Sequence, residues 1–206
     1  MNTIGQVTSA VRKWSDGTPV AGQQYGFLFD DIGNRKTAAL NSNVSEYAAN
    51  LLNQYTQHTV PGFVDIIGSA ASSATVTVGV SGVTNTVASR QGEYFRQALT
   101  LANTSTAVYA GINILGSMDY NGTNVVVTNT GSAFLPKTPE VFNHDADGSL
   151  TNDGRWAYTW DGENRLIGME TVSSVTNIVP RTKLEFAYDA GSRRIQKKVY
   201  SWNTDS

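Results

Sequence analysis

The chain has no cysteine and only two histidines, His58 and His144, in 206 residues. The first absence removes disulfides and thiolate metal sites from the means of holding the fold together, and it leaves the redox compartment unreadable. The second, with no cysteine nucleophile, no G-x-S-x-G elbow and no H-E-x-x-H pair, leaves the familiar hydrolase constellations without their parts. Charged residues make up only 16% of the chain, and 15 basic against 17 acidic side chains give a net charge of -2. The basic residues are spread along the sequence, so there is no electrostatic footprint for nucleic acid. The one local cluster, Arg193, Arg194, Lys197 and Lys198, reads as a solvated strand face. No apolar run approaches the length of about 18 residues needed for a membrane span. Met1 to Ala10 lacks the basic region and apolar run of a signal peptide. With 40% hydrophobic residues the composition is that of a globular protein.

What is present is a recurring pattern. Alternating aromatic or aliphatic residues run into an acidic residue, a small residue follows three positions on, and then often an arginine. Tyr25, Phe27 and Phe29 lead to Asp30, Gly33 and Arg35; Phe142 and His144 lead to Asp145, Gly148 and Leu150. Trp156, Tyr158 and Trp160 lead to Asp161, Asn164, Arg165 and Leu166; Leu184, Phe186 and Tyr188 lead to Asp189, Ser192, Arg193 and Arg194. Asn50 to Tyr55 is a weaker copy, and Asn2 to Val7 resembles the second half of another.

Period-two alternation puts the aromatics on one face of a strand and is incompatible with a helical stripe. An Asp or Asn opening a turn can bond the backbone two residues on, and Gly or Asn three positions later accepts the left-handed conformation that a type I turn with a following bulge requires. Each copy is therefore expected to be a β-hairpin. Ser192 fits poorly, and the turn is expected to shift by one residue so that Gly191 takes the left-handed position. The return strand opens with the arginine or aliphatic residue, as Ile195, Lys197 and Val199 alternate with Gln196 and Lys198. Lone hairpins are unstable, so units of about 20 residues are expected to stack and bury a continuous core. The Asp and aromatic ladders are on this reading structural.

The motifs Phe29-Asp30-Asp31-Ile32-Gly33-Asn34-Arg35, Trp160-Asp161-Gly162-Glu163-Asn164-Arg165-Leu166 and Tyr188-Asp189 to Ile195 resemble the YD repeats of bacterial rearrangement-hotspot (RHS) proteins. The stretch from Gly5 through Trp14-Ser15-Asp16-Gly17 to Asp30 also reads like the spacing between consecutive repeats. The resemblance implies a spiralling sheet of hairpins that in complete family members closes into a hollow shell around a C-terminal toxin or other cargo, or presents an adhesive surface. It further implies a secreted or bacterial cell-surface setting, with neighbouring repeats of the same longer protein, a toxin cargo or a surface glycan as partners. Six repeats cannot close such a shell. The chain also ends at Ser206 without the core segment that precedes the variable C-terminal domain in the family, so a fragment with exposed sheet edges at both ends is expected.

The expected fold class is all-β: repeat hairpins over residues 1–56 and 139–206, interrupted by an inserted β-rich domain over 57–138. In the insert, Val76, Val78 and Val80 alternate with Thr75, Thr77 and Gly79, Ser81-Gly82 suggests a turn, and Val125 to Val127 follow an Asn121-Gly122 turn signal. Glu93 to Leu101 has good helix formers as well as alternation of Phe95, Leu99 and Leu101, with the strand favoured. Together these point to a small antiparallel sandwich.

Three candidate chemistries are weighed against the structural reading. Asn143-His144-Asp145-Ala146-Asp147-Gly148 copies the start of a calcium loop, but position twelve is Gly154 where a bidentate glutamate is needed. Asp31, Asp147, Asp153 and Glu163 could supply a glycosidase pair, yet these carboxylates recur with the turns. Trp14, Trp156, Tyr158, Trp160 and Trp202 could stack on sugars; the β-strand trio reads instead as buried ladder rings, with Trp14 and Trp202 freer. The expectation is a scaffold or interaction protein without cofactor or catalysis, and the alternative is a carbohydrate-binding cell-surface module.

Overall fold

The computed structural model describes residues 1–202; the last four residues of the 139–206 segment lie outside the described residues. It is all-β, built from antiparallel sheets with a single short 3-10 turn. The first strands are β1 (Ser9–Lys13), β2 (Pro19–Phe29), β3 (Arg35–Leu40), β4 (Asn43–Ala49) and β5 (Tyr55–His58). Each pairs with the next, forming a meander. The chain then leaves this sheet to make β6 (Phe63–Ser69), β7 (Thr75–Val80), β8 (Thr86–Val87), β9 (Ser89–Gln91), β10 (Tyr94–Thr100), β11 (Val108–Tyr120) and β12 (Thr123–Leu135). It returns as β13 (Glu140–Val141), which pairs with β5 and becomes the sixth strand of the first sheet.

The remaining strands are β14 (Asn143–His144), β15 (Leu150–Asn152), β16 (Trp156–Trp160), β17 (Leu166–Thr171), β18 (Thr182–Tyr188) and β19 (Arg194–Ser201). They form a second six-stranded meander. Only Phe142 separates β13 from β14, and its N–H donates to the Thr56 carbonyl at 2.9 Å. Residues 140–144 thus run almost as one strand, paired with β5 through the first half and with β15 through the second. The two meanders are one ribbon of hairpins, and the intervening seven strands are an excursion between two hydrogen-bonded neighbours.

That excursion contains the best-buried part of the molecule. A three-stranded sheet, β6-β10-β9, packs against a four-stranded sheet, β12-β11-β7-β8. Between them lie Val60, Val76, Val78, Phe95, Leu99, Leu101, Ala110, Ile112 and Leu135, all buried. Alternation of valine with threonine and glycine in β7 sends Val76 and Val78 inward. The ambiguous stretch from Glu93 to Leu101 forms the strand β10, with Phe95 and Leu99 buried in the core. A smaller cluster joins the excursion to the second meander, where Val175 and Val179 around the 3-10 turn (Ser173–Val175) pack on Ala107 and Phe134.

The packing of the ribbon differs from expectation. Its hairpins do not bury a continuous core between layers; they lie side by side, and apart from Tyr25, which is exposed, their ladder side chains are half-buried. Trp156, Tyr158 and Trp160 are of this kind, shielded by neighbours on the same face. All eight residues of β19, the last strand, are exposed.

Candidate functional site

The repeat positions build one local structure six times. The N–H of the first residue (Asn2, Asp30, Asn50, Asp145, Asp161, Asp189) donates to the carbonyl of the fifth at 2.9 to 3.0 Å, and the N–H of the fourth donates back to the first at 3.0 to 3.2 Å. The Oδ1 of the first residue accepts the N–H of the fifth at 2.7 to 3.0 Å. It also accepts the N–H of the third at 2.9 to 3.3 Å. One side-chain oxygen thereby satisfies two backbone donors that the tight turn would leave unpaired, which is what suits Asp or Asn to this place in the six copies.

The fourth residue is left-handed in every copy: Gly5, Gly33, Asn53, Gly148, Asn164 and Ser192. Ser192 itself has φ 57°, so the expected shift onto Gly191 does not occur. The four bonds of the Asp189 turn fix the frame, and the serine accepts the conformation that glycine would take without steric cost. The two degenerate copies at Asn2 and Asn50 have the same geometry as the clear ones.

The fifth residue answers the chemistry of the first. Three of the four Asp residues receive a donor on the second oxygen: Asn34 on Asp30 at 3.0 Å, Arg165 on Asp161 at 2.8 Å and Arg193 on Asp189 at 2.8 Å. An Asn instead donates to a glutamine, as Asn50 does to Gln54 at 2.7 Å. At Asp161 and Asp189 the backbone bond from the fifth residue is the main cause of a depressed carboxyl pKa, with the arginine side chain adding to it. At Asp30 partial burial opposes ionisation, and the bonds from Asn34, Ile32 and Gly33 together outweigh it.

In two copies the aromatic residue before the Asp ties its hairpin to the one preceding it. Trp160 Nε1 donates to the Leu150 carbonyl at 2.7 Å, and the Tyr188 hydroxyl donates to the Leu166 carbonyl at 2.8 Å. Leu150 and Leu166 hold equivalent places, five residues after Asp145 and Asp161. Neighbouring turns also meet: Asn34 donates to Asn53 at 3.1 Å, and a Cβ added at Gly148 would come within 3.1 Å of the Gln54 amide nitrogen. The turns thus continue in line from one side of the excursion to the other. Arg35 lies over the rings of Phe27 and Tyr47 at 5.3 and 5.6 Å. Arg194, at the equivalent place in the last copy, lies over Phe186 at 5.2 Å. The expected solvated basic face is therefore exposed, but two of its members have definite partners, Arg193 on Asp189 and Arg194 on Phe186.

The candidate carboxylates serve the same purpose or stand apart. Asp145 uses its Oδ1 on the N–H groups of Asp147 and Ser149, so the calcium-like loop is a hairpin turn. Among the described residues no three potential ligands gather as a metal would need. Asp153 accepts from the backbone of Arg155 and Trp156 and from the Tyr158 hydroxyl at 2.6 Å. Burial and this carboxylate push the Tyr158 phenol well above its ordinary range. Glu163 pairs with Arg165 at 2.8 Å, and Asp31 and Asp147 sit exposed on separate turns. Trp14, expected to be free, is half-buried edge-on against Tyr94 with ring centroids 5.6 Å apart. Trp202 is 42% exposed and lies under Arg181 at 4.0 Å.

Compared with known proteins, the chain matches no family model and no curated protein.

Three features carry no sequence signature. His58 is stacked between Tyr47 and Phe142, with interplanar angles of 11° and 3°, and its Nε2 lies 2.6 Å from Glu140 Oε2. This ties β13 back to β5 after the excursion. Asn103, 2% exposed, donates to the carbonyls of Val60 and Pro136, the points where the chain leaves and rejoins the ribbon. Arg90 donates to the carbonyls of Ala70, Ala71, Ala74 and Gly92, ordering one wall of an apolar groove of about 520 Å³ between the two sheets of the sandwich.

Proposed function

We propose that this chain is a non-catalytic scaffold segment of the RHS/YD-repeat kind, a wall of hairpins that encloses or presents a toxin or adhesive domain. The observation that carries the reading is the turn ladder. Six turns share one bonding pattern and continue in line across an interruption of more than eighty residues. Repetition at the structural period is what a wall requires, and a catalytic pair would need two carboxylates released from that duty. Among the described residues the outer strands β1 and β19 each have one strand neighbour, so their outer edges suit pairing with further hairpins. No helix among the described residues is long and apolar enough to cross a membrane. A secreted or cell-surface setting rests on the family resemblance alone.

Hydrogen exchange on the β19 amides tests the proposal. The alternate β19 amides that point away from β18 should exchange freely in the 206-residue chain and become protected in a longer chain that carries a neighbouring hairpin. Equal exchange in both would remove the wall reading. The alternative, a carbohydrate-binding module, calls for exposed coplanar rings. Trp160 and Tyr158 are instead half-buried with their polar atoms engaged inside the molecule. Binding on a glycan array that Trp202→Ala abolishes would favour that alternative.

A further inference from the structure

The sandwich has an edge of a different kind from the rest. Strand β12 is thirteen residues long, TNVVVTNTGSAFL, with no charged residue and no proline. Its register with β11 is unbroken, without a bulge, from Tyr120↔Thr123 to Val108↔Leu135. Residues 123 to 132 are all exposed, and no strand among the described residues pairs with the outer side of β12. The other outermost strands are either two residues long, as β8, β13 and β14 are, or carry a charge: Arg12 and Lys13 in β1, Asp65 in β6, Arg90 in β9, and Arg194, Lys197 and Lys198 in β19. Short length, charge, proline and bulges are the devices that keep sheet edges from pairing, and β12 has none of them.

The sequence of this edge also matches itself. Read antiparallel about Val126, the segment from Thr123 to Asn129 sets Thr123 against Asn129, Asn124 against Thr128, Val125 against Val127, and Val126 against Val126. Each polar residue meets a polar residue and each valine a valine, on both faces of the strand. Val125, Val126 and Val127 are 41%, 53% and 65% exposed, so they have surface to bury. Val125 and Val127 also line the apolar groove with Gly116 and Met118, so a partner's valines would extend an apolar face already present. Because neither copy brings a charge to the edge, nothing electrostatic opposes the pairing.

We propose that β12 pairs antiparallel with β12 of a second copy of this chain, about a two-fold axis at Val126, joining the two four-stranded sheets into one. The contact is isologous, as a closed two-fold dimer requires. It uses the sandwich and leaves the outer edges of the hairpin ribbon untouched, so it stands or falls separately from the scaffold reading.

Sedimentation equilibrium of the full chain over a wide concentration range should show a reversible dimer. Val126→Lys sets two like charges opposite each other at the axis and should weaken dimerisation by roughly tenfold or more. Val126→Glu should do the same, and an equimolar mixture of the two variants should recover association, because unlike charges then face each other. Val44→Lys, at a similarly exposed valine in β4, should leave the dimer unchanged. Circular dichroism confirms that each variant is folded. A wild-type chain that stays monomeric overturns the proposal and leaves the edge to a strand of another protein. A dimer indifferent to Val126→Lys, or variants that do not recover on mixing, also overturn it.

Discussion

The side-chain amide of Asn103 donates to the carbonyl oxygen of Val60 at 3.0 Å, joining residues 43 positions apart in the chain. The same nitrogen reaches the Pro136 carbonyl at 2.8 Å, and the backbone carbonyl of Asn103 accepts the Thr138 N–H at 3.0 Å. One buried side chain thus holds together the two strands of chain that connect the sandwich to the ribbon. Asn103→Ala strands two carbonyls and should cost about 3 kcal/mol in urea unfolding. Asn103→Asp, which places an acceptor against acceptors, should be worse. A loss under about 0.5 kcal/mol would mean that water replaces the amide freely.

Ser192 occupies the left-handed position that glycine holds in three of the other turns. Ser192→Gly should therefore raise stability by about 0.5–1 kcal/mol, since the strain removed exceeds the added entropy of the unfolded chain. A decrease in melting temperature would show that the serine side chain has a compensating role.

Tyr188→Phe deletes the bond to the Leu166 carbonyl while keeping the ring, and Trp160→Phe deletes the bond to Leu150. Each should cost about 1 kcal/mol. The two ties lie between different pairs of hairpins, so a double variant should show near-additive losses. Strong non-additivity would mean that the hairpins act as a single cooperative ladder.

Asp30, Asp161 and Asp189 have carboxyl pKa values below the ordinary 3.8. A depressed folded pKa means that the unfolded chain binds protons first as pH falls, so the stabilisation is complete above about pH 4 and is lost as pH drops through the folded values. Thermal melts from pH 7 down to pH 2 should show that loss. Replacing all three with Asn keeps the Oδ1 acceptor and should flatten the acid limb. An unchanged limb would place the acid sensitivity elsewhere.

Gly22 has φ 81°, and a Cβ there would lie 2.7 Å from the Arg96 side chain, which pairs with Asp65 at 2.8 Å. The close approach lets β2 lie against the sandwich. Gly22→Ala should cost about 1–3 kcal/mol, combining backbone strain with overpacking. Circular dichroism melts compared with Gly17→Ala, where the same backbone conformation meets open space, would separate the two contributions.

The hairpin turns were legible because their chemistry is local: an Asp or Asn bonds backbone two and four residues on, well within the span of a motif. The alternating rings fixed strand and face for the same reason. Ser192 shows the limit of residue preference, since the four bonds of the turn outweigh the reluctance of one serine. Asn103, Gly22 and His58 were invisible because their partners are remote; His58 and Glu140 are 82 residues apart. Half-burial of the ribbon's rings could not be read either, since alternation names the protected face but not how fully it is covered.

The pairing of β5 with β13 has a kinetic consequence. Neither strand can find the other until the chain between them has drawn its ends together, and closing so long a flexible loop is entropically unfavourable. A folded sandwich shortens that loop to the two linkers held by Asn103. The sandwich should therefore form first, with the ribbon zipping shut across Phe142 afterwards, and the long sequence separation of these contacts marks that closure as the slow step.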